Sequence, residues 1–237
     1  MMRLADLQRH AVDAIKRHAL VLSLASRRAQ ARILTEYLWT EEGAESSALA
    51  KTRDASPPPW VDKLLANQLA DERRHAVLLR EQLRALGAET DRPPPSLASV
   101  KLWWLERACA PYYPAFSAGP IVVLLAVAAQ FEGTGVRVFG RHVGVLEAHE
   151  RATGTLDPIA TALRSILADE QRHARSCAAA LDRLVTDDER PVLAELRAHV
   201  ARIDRSFGVT LALGFWLLTA GQALRDRAAL RPARSAS

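Results

Sequence analysis

The sequence contains one eight-residue pattern twice, as LADERRHA at 69–76 and as LADEQRHA at 167–174. Each copy places a Glu and a His three residues apart, at Glu72 and His75 and at Glu170 and His173. On an α-helix such a pair lies on one face, about one turn apart. Each pair interrupts an apolar helical stripe, where an unpaired carboxylate is costly. A metal ion removes that cost, because carboxylates and neutral imidazoles are both metal ligands. A buried salt-bridged seam is the structural alternative.

Two E-x-x-H motifs supply four ligands, and a dinuclear carboxylate centre in a helical bundle uses two further carboxylates. Glu132 is the only acidic residue of the apolar run 121–140, IVVLLAVAAQFEGTGVRVFG. A lone Glu in such a run is hard to explain unless it has a function. The adjacent glycines, Gly133 and Gly135, leave room for a neighbouring backbone or a substrate.

The remaining carboxylate comes from a segment with four candidates: Glu36, Glu41, Glu42 and Glu45. We predict Glu41 as the ligand, because small or apolar residues lie one turn before it and one turn after it. Glu42 and then Glu45 are the alternatives. Arg32 lies one turn before Glu36, which indicates that Glu36 faces solvent. Four carboxylates balance two divalent cations, so with neutral imidazoles the centre carries no net charge and can be buried.

Each predicted Glu of the repeat follows an Asp, and each His follows an Arg; these residues are Asp71, Asp169, Arg74 and Arg172. A metal-bound His needs an acceptor for its other ring N–H. Across an antiparallel helix pair, we expect Asp71 to accept this hydrogen bond from His173. By the same geometry, Asp169 would accept it from His75. The two Arg residues would offset the charge of the Asp residues. The alternative is that all four are ordinary surface charges.

The elements that position these residues are separated by clusters of Pro and Gly. The clusters fall at 53–59, 87–96, 110–120, 151–158 and 185–191. The segments between them are helical in pattern: 20–52 after a separate N-terminal helix, 59–86, 97–108, 119–150, 158–184 and 191 onward. The lengths are typical of an antiparallel up-and-down bundle. We predict one all-α domain over 1–237, with a core bundle at about 20–185 and a C-terminal helix at about 190–228.

Composition adds few constraints. The 237 residues are 49% hydrophobic and carry a net charge of +5, mostly from Arg spread along the chain. This distribution favours a solvated surface, with RNA or a membrane surface as the lesser alternative. Two isolated cysteines and an N-terminus without a secretory signal predict a cytoplasmic protein. The uncharged stretch 206–224, SFGVTLALGFWLLTAGQAL, predicts a buried or subunit-contact helix, as in a homodimer, rather than a membrane span.

The ligand pattern resembles that of the ferritin-like di-iron carboxylate superfamily over roughly residues 20–185. Its D-E-x-R-H form is similar to the oxygen-activating branch, which includes bacterial monooxygenases and acyl-carrier-protein desaturases. The stretch EEGAESSAL is similar to the first helix of tRNA hydroxylases, with Glu41 in the ligand position. The resemblance implies a ferritin-like antiparallel four-helix bundle with additional terminal helices. It also implies two iron ions, with manganese as an alternative, and an Asp partner for each ligand His.

An O₂-activating oxidase or hydroxylase is the function that the resemblance implies. Its organic substrate would be a small molecule or carrier-bound. Electrons would come from an external donor, since the sequence has no flavin or nicotinamide fingerprint. No catalytic side chain is predicted beyond the metal ligands. The alternatives are ferroxidase activity with iron storage, and peroxide removal of the rubrerythrin or manganese-catalase kind. A helical scaffold without metal is the third alternative.

Overall fold

A computed structural model describes residues 4–88 and 97–230 of the chain. Within these ranges the backbone forms α-helices and no strand, so the predicted all-α class is confirmed. The α-helices are α1 (Leu4–Ser23), α2 (Arg27–Trp39), α3 (Ser46–Asp54), α4 (Pro59–Ala85), α5 (Leu97–Cys109), α6 (Pro120–Thr153), α7 (Pro158–Leu184) and α8 (Arg190–Leu230). A π-helical turn, Thr40–Glu45, joins α2 to α3, and 3₁₀ turns cover Ala110–Ala115 and Asp187–Glu189.

The helix ends follow local sequence signals. Helices α4, α6 and α7 each begin with a proline, whose missing N–H is not needed in a first turn. Helix α6 ends at Gly154, which has a left-handed φ of 70°. The predicted start of the first long segment at residue 20 is wrong. Ser26 accepts a hydrogen bond from the Ala29 N–H at 3.0 Å, so α2 begins only at Arg27 and Leu20 belongs to α1.

Two apolar clusters occupy the interior, and the acidic and His residues lie between them along α4, α6 and α7. One cluster is formed near the start of α4 and α6 and the end of α7, by residues such as Leu65, Leu125 and Leu181. The other is formed near the opposite ends, by residues such as Leu83, Leu146 and Leu163. Helix α7 therefore runs antiparallel to α4 and α6. The predicted site is enclosed by apolar packing on both sides.

Helices α1 and α8 form an outer layer over α2 and α6. They run parallel to each other: the Gln8 side chain donates to the Arg205 carbonyl at 2.9 Å, and the Trp216 indole donates to His18 Nδ1 at 2.8 Å. The 41-residue length of α8 lets it contact α1, α2, α5 and α6 in turn. This layer covers the side of the interior that faces Glu41.

Within the described part of the chain, two helical spans are long and apolar enough to cross a membrane, Pro120–Thr153 and Asp187–Ala228. Length and composition alone do not separate a core helix from a spanning helix. The most apolar window of Pro120–Thr153 is 44% buried within the protein, against 22% for that of Asp187–Ala228. The second span exposes leucines such as Leu213, Leu217 and Leu224.

Candidate metal centre

The structure brings all six predicted ligands together in the interior. Their exposed fractions lie between 0 and 3%: Glu41, Glu72, His75, Glu132, Glu170 and His173. The π-helical turn after α2 supplies one residue, α6 supplies one, and α4 and α7 supply two each. Four separate helical segments thus converge on one buried cluster of carboxylates and imidazoles that can hold metal ions.

The six residues divide into two overlapping groups of four. In each group, one candidate ligand atom per residue lies within 4.8 Å of the others. The first group comprises Glu41, Glu72, His75 and Glu170, and the second comprises Glu72, Glu132, Glu170 and His173. Glu72 and Glu170 belong to both groups. Each group adds one further Glu and one His to these shared residues, so the cluster offers two neighbouring sets of four candidate ligands.

The contacts within each group have matching geometry. His75 Nδ1 lies 3.2 Å from Glu41 Oε2 and 3.4 Å from Glu72 Oε2. His173 Nδ1 lies 3.3 Å from the other oxygen, Glu72 Oε1, and 3.5 Å from Glu132 Oε2. The two imidazole centroids are 6.1 Å apart. Each oxygen of Glu72 therefore faces a different His.

Unsatisfied buried atoms test whether metal ions fit here. Both oxygens of Glu72 and of Glu170, together with Glu132 Oε2 and His173 Nδ1, are buried and have no hydrogen-bond partner among the described residues. Native proteins rarely leave such atoms without hydrogen bonds, and here most of them have only loose contacts of 3.3–3.8 Å between a carboxylate and an imidazole nitrogen. All six point into the same cluster, and all are metal-ligand atoms. The donor set of oxygens and imidazole nitrogens therefore fits bound metal.

The electrostatics of the metal-free cluster are dominated by burial and by mutual repulsion. Burial, with the charges of Glu132 and Glu72, holds the pKa of Glu170 well above its ordinary value. Burial also raises the pKa of Glu132. The pKa of Glu72 is lowered, because its contacts with Glu41, His173 and His75 outweigh burial. Burial opposes protonation of His173, but contacts with Glu132 and Glu72 prevail and raise its pKa to about 11.

Metal binding should therefore release protons. At pH 7.5 the metal-free protein holds a proton on His173, and its Nδ1 must lose this proton before it can bind a metal. We expect at least one proton released per chain and an affinity that falls as the pH is lowered. Titration calorimetry in two buffers of different ionisation enthalpy measures the number. Identical apparent enthalpies in both buffers would contradict this expectation.

A ring of four charged residues lies behind the two His residues. His75 Nε2 lies 3.1 Å from Asp169 Oδ2, and His173 Nε2 lies 3.0 Å from Asp71 Oδ2. Arg74 and Arg172 each pair with both Asp residues, which links α4 to α7. Burial opposes ionisation of Asp71, but His173, Arg172 and Arg74 lower its pKa to about 2. Each ionised Asp accepts the Nε2–H, so each His presents its Nδ1 to the carboxylates.

Removal of one Asp charge should weaken metal binding without abolishing it. In Asp169→Asn the side chain keeps its shape, but His75 loses its charged partner. We expect metal affinity to fall roughly tenfold or more, the usual effect of losing such a partner. Competition with a chromophoric chelator measures the affinity. Asp182→Asn, on the exposed side of the same helix, is the matched control. Equal affinities for the two variants would show that the Asp–His contact has no role.

Gln68 is a site residue that the sequence analysis missed. It is 2% exposed on α4, and its amide donates to Glu132 Oε1, which leaves Oε2 to face His173. The signal that could have found it was its position one turn before Glu72 on the inward stripe. The second copy of the repeat has Ile166 at the matching place, so the two halves of the site differ here.

The other candidates from the first segment have different surroundings. Glu42 pairs with Arg80 and is partly exposed, and Glu36 pairs with Arg32 at 2.9 Å. The side chain of Glu45 lies outside the described residues. Of the candidates whose side chains the structure describes, only Glu41 joins the cluster. It lies in the π-helical turn, a form of backbone often found at functional sites.

Gly135 lets α6 approach Glu170 closely. A Cβ atom at this position would lie 2.1 Å from Glu170 Oε2. This distance is far inside van der Waals contact. The present position of Glu170 therefore depends on the absence of a side chain at residue 135.

No protein family, curated protein or solved structure matches this chain in sequence or fold comparisons. Its class therefore rests on the helical architecture and the geometry of the centre.

Proposed function

We propose that the protein is a di-iron carboxylate oxidoreductase with a ferritin-like four-helix bundle, which activates O₂ to oxidise an organic substrate. The observation that carries the proposal is the pair of ligand groups that share Glu72 and Glu170. The bundle would consist of α4, α6, α7 and the interrupted helix formed by α2 and α3. Two bound iron ions would supply the redox chemistry and the site of O₂ activation.

The chain's own residues prepare this centre. Gln68 holds one oxygen of Glu132, and the two Asp residues set the orientation of the His rings. Four carboxylates balance two divalent ions, which supports a neutral centre in an apolar interior. The mixed oxygen and nitrogen ligands suit iron, and they also suit manganese. Electrons would come from an external donor.

An organic substrate is favoured over iron storage by the cavity next to the centre. This cavity of about 340 Å³ reaches Glu41 and Gly135, and its surface is mainly apolar. A route for iron ions would need polar ligands along its whole length, because hydrated cations are held by oxygen atoms. The carboxylates that line this cavity are Glu36, which is paired with Arg32, and Glu41 at the centre itself. The cavity instead suits a molecule with an apolar body.

Anaerobic reconstitution with Fe(II) tests the proposal. We expect two irons per chain in the native protein and O₂ consumption when a chemical reductant is supplied. Both should be lost in Glu132→Ala and retained in Glu81→Ala, whose exposed carboxylate lies on α4.

Other outcomes would indicate other functions. Iron uptake that continues far beyond two per chain would show storage. Selective retention of manganese with peroxide turnover would show a catalase. If folded protein binds neither metal, the cluster is a buried salt-bridged seam and the proposal is wrong.

A further inference from the structure

The cavity beside the centre lies between two layers of helices. Helices α2 and α6 form the wall on the metal side, and α1 and α8 form the opposite wall. Its volume of about 340 Å³ falls within the range of small-molecule pockets, roughly 300–1,000 Å³. Apolar side chains cover most of the surface, among them Leu20, Ile33, Phe139, Leu211 and Phe215.

One end of the cavity adjoins the candidate metal ligands. Glu41 lines it from the π-helical turn, and Gly135 lines it from α6. Gly135 is also the residue that lies against Glu170. A molecule in the cavity can therefore reach both the first ligand group and the bridging carboxylate.

Cationic side chains line the same apolar cavity. Lys101 pairs with Asp204, and Arg141 donates from Nε to Asp13 Oδ1 at 2.7 Å. Lys16 is half-buried and, unlike them, forms no hydrogen bond or ion pair with any residue that the structure describes. Its ammonium group therefore has no anionic partner beside a mainly apolar cavity, and a bound anion would supply one.

The charges around Lys16 are mostly positive, which also favours a bound anion. Burial lowers its pKa to about 8, and the positive charges of Arg141, Lys101 and Arg137 add to the effect. Only Asp204 acts in the opposite direction. Arg141, whose charge acts on Lys16, lies six residues beyond Gly135 on α6. At the rise of an α-helix this separation is about 9 Å along the helix axis. An alkyl chain of medium length spans that distance.

We propose that this cavity binds an aliphatic carboxylate, with its carboxylate paired to Lys16 and its alkyl chain extending toward Glu41 and Gly135. The role of this ligand as a substrate rests on the proposed function, because the ligand would be oxidised at the same centre. The binding itself depends only on the cavity. The end of the chain remote from the carboxylate is the part that lies beside the candidate metal centre.

Three ten-carbon probes that differ in head group test the charge requirement. Decanoate, decan-1-ol and decyltrimethylammonium are titrated into the iron-loaded protein by calorimetry, below their micelle concentrations. We expect decanoate to bind most tightly. Lys16→Met should weaken decanoate binding about tenfold or more, the usual value of a buried charged contact, and leave decanol unchanged. Arg9→Gln, an exposed charge on the same helix, should change neither.

The affinity for decanoate should also fall as the pH rises above about 8, where free Lys16 loses its proton. The same change should be absent in Lys16→Met. Equal binding of decanoate and decanol, preference for the cationic probe, or full decanoate affinity in Lys16→Met would each overturn the proposal.

A second variant tests the position of the chain. Gly214 lines the cavity from α8, and a Cβ added there meets no atom within 4 Å. Gly214→Leu should therefore fill the cavity and abolish decanoate binding, while iron content and thermal stability are retained. Decanoate binding that persists in this variant would place the ligand elsewhere and overturn the proposal. Iron content is measured in parallel, so decanoate binding without iron would contradict the di-iron proposal alone.

Discussion

Replacement of Glu170 by glutamine should remove both metal ions, whereas replacement of Glu41 by glutamine should remove only one. Glu170 belongs to both ligand groups, and Glu41 belongs only to the group that contains His75. Glutamine keeps the volume of the side chain and discards its charge. Metal analysis after reconstitution and desalting should therefore give close to zero for Glu170→Gln and close to one ion per chain for Glu41→Gln.

Stability measurements separate loss of metal from loss of fold. The pKa of Glu170 is raised by burial and by the charges of Glu132 and Glu72, so this carboxylate is unfavourable in the metal-free protein. Metal-free Glu170→Gln should melt at or above the temperature of the metal-free native protein. Glu81→Gln on α4 is the control for a removed surface charge. Loss of the same amount of metal from Glu41→Gln and Glu170→Gln would contradict the bridged arrangement.

A single methyl group at residue 135 should have an effect nearly as large. An added Cβ would lie 2.1 Å from Glu170 Oε2, so Glu170 or helix α6 must move in Gly135→Ala. We expect most of the bound metal to be lost, because the carboxylate must leave its position, and metal-free stability to fall by no more than about 1 kcal/mol, because the atoms that must move are the end of a flexible side chain. Metal analysis and thermal unfolding measure the two effects.

Gly144 supplies the matched control on the same helix. An added Cβ at this position meets no atom within 4 Å. Gly144→Ala should therefore keep its metal and gain up to about 1 kcal/mol, the helix propensity difference between Gly and Ala. If Gly135→Ala binds as much metal as Gly144→Ala, Glu170 does not need its present position against α6.

The repeated octapeptide allowed much of the centre to be predicted, because helix geometry fixes which residues share a face. The Asp–His contacts across α4 and α7 follow from two nearly identical motifs on antiparallel helices. Glu132 was identifiable because burying a carboxylate within an apolar run is costly unless a ligand or partner compensates its charge. The all-α class followed from the composition and from the lengths of the segments between proline clusters.

Other features depend on information that the local pattern does not contain. The stripe around Glu41 favoured it over Glu42, but the π-helical turn in which both residues lie was not predicted. Gln is usually a surface residue, and although Gln68 lies on the inward stripe, only the packing against α6 shows that Glu132 is its partner. The cavity requires α1 and α8, whose contacting residues Gln8 and Arg205 are 197 positions apart. Periodicity within a short window cannot detect such a pairing.

The candidate metal ligands and the outer wall of the cavity lie on different helices, which affects what substitutions can alter. All candidate metal ligands come from α4, α6, α7 and the turn after α2, whereas α1 and α8 contribute only walls of the cavity. Substitutions at Lys16, Leu211 or Gly214 can therefore alter which molecule is accepted without altering the metal ligands. Libraries restricted to these two helices should give proteins with new ligand preferences and unchanged metal content.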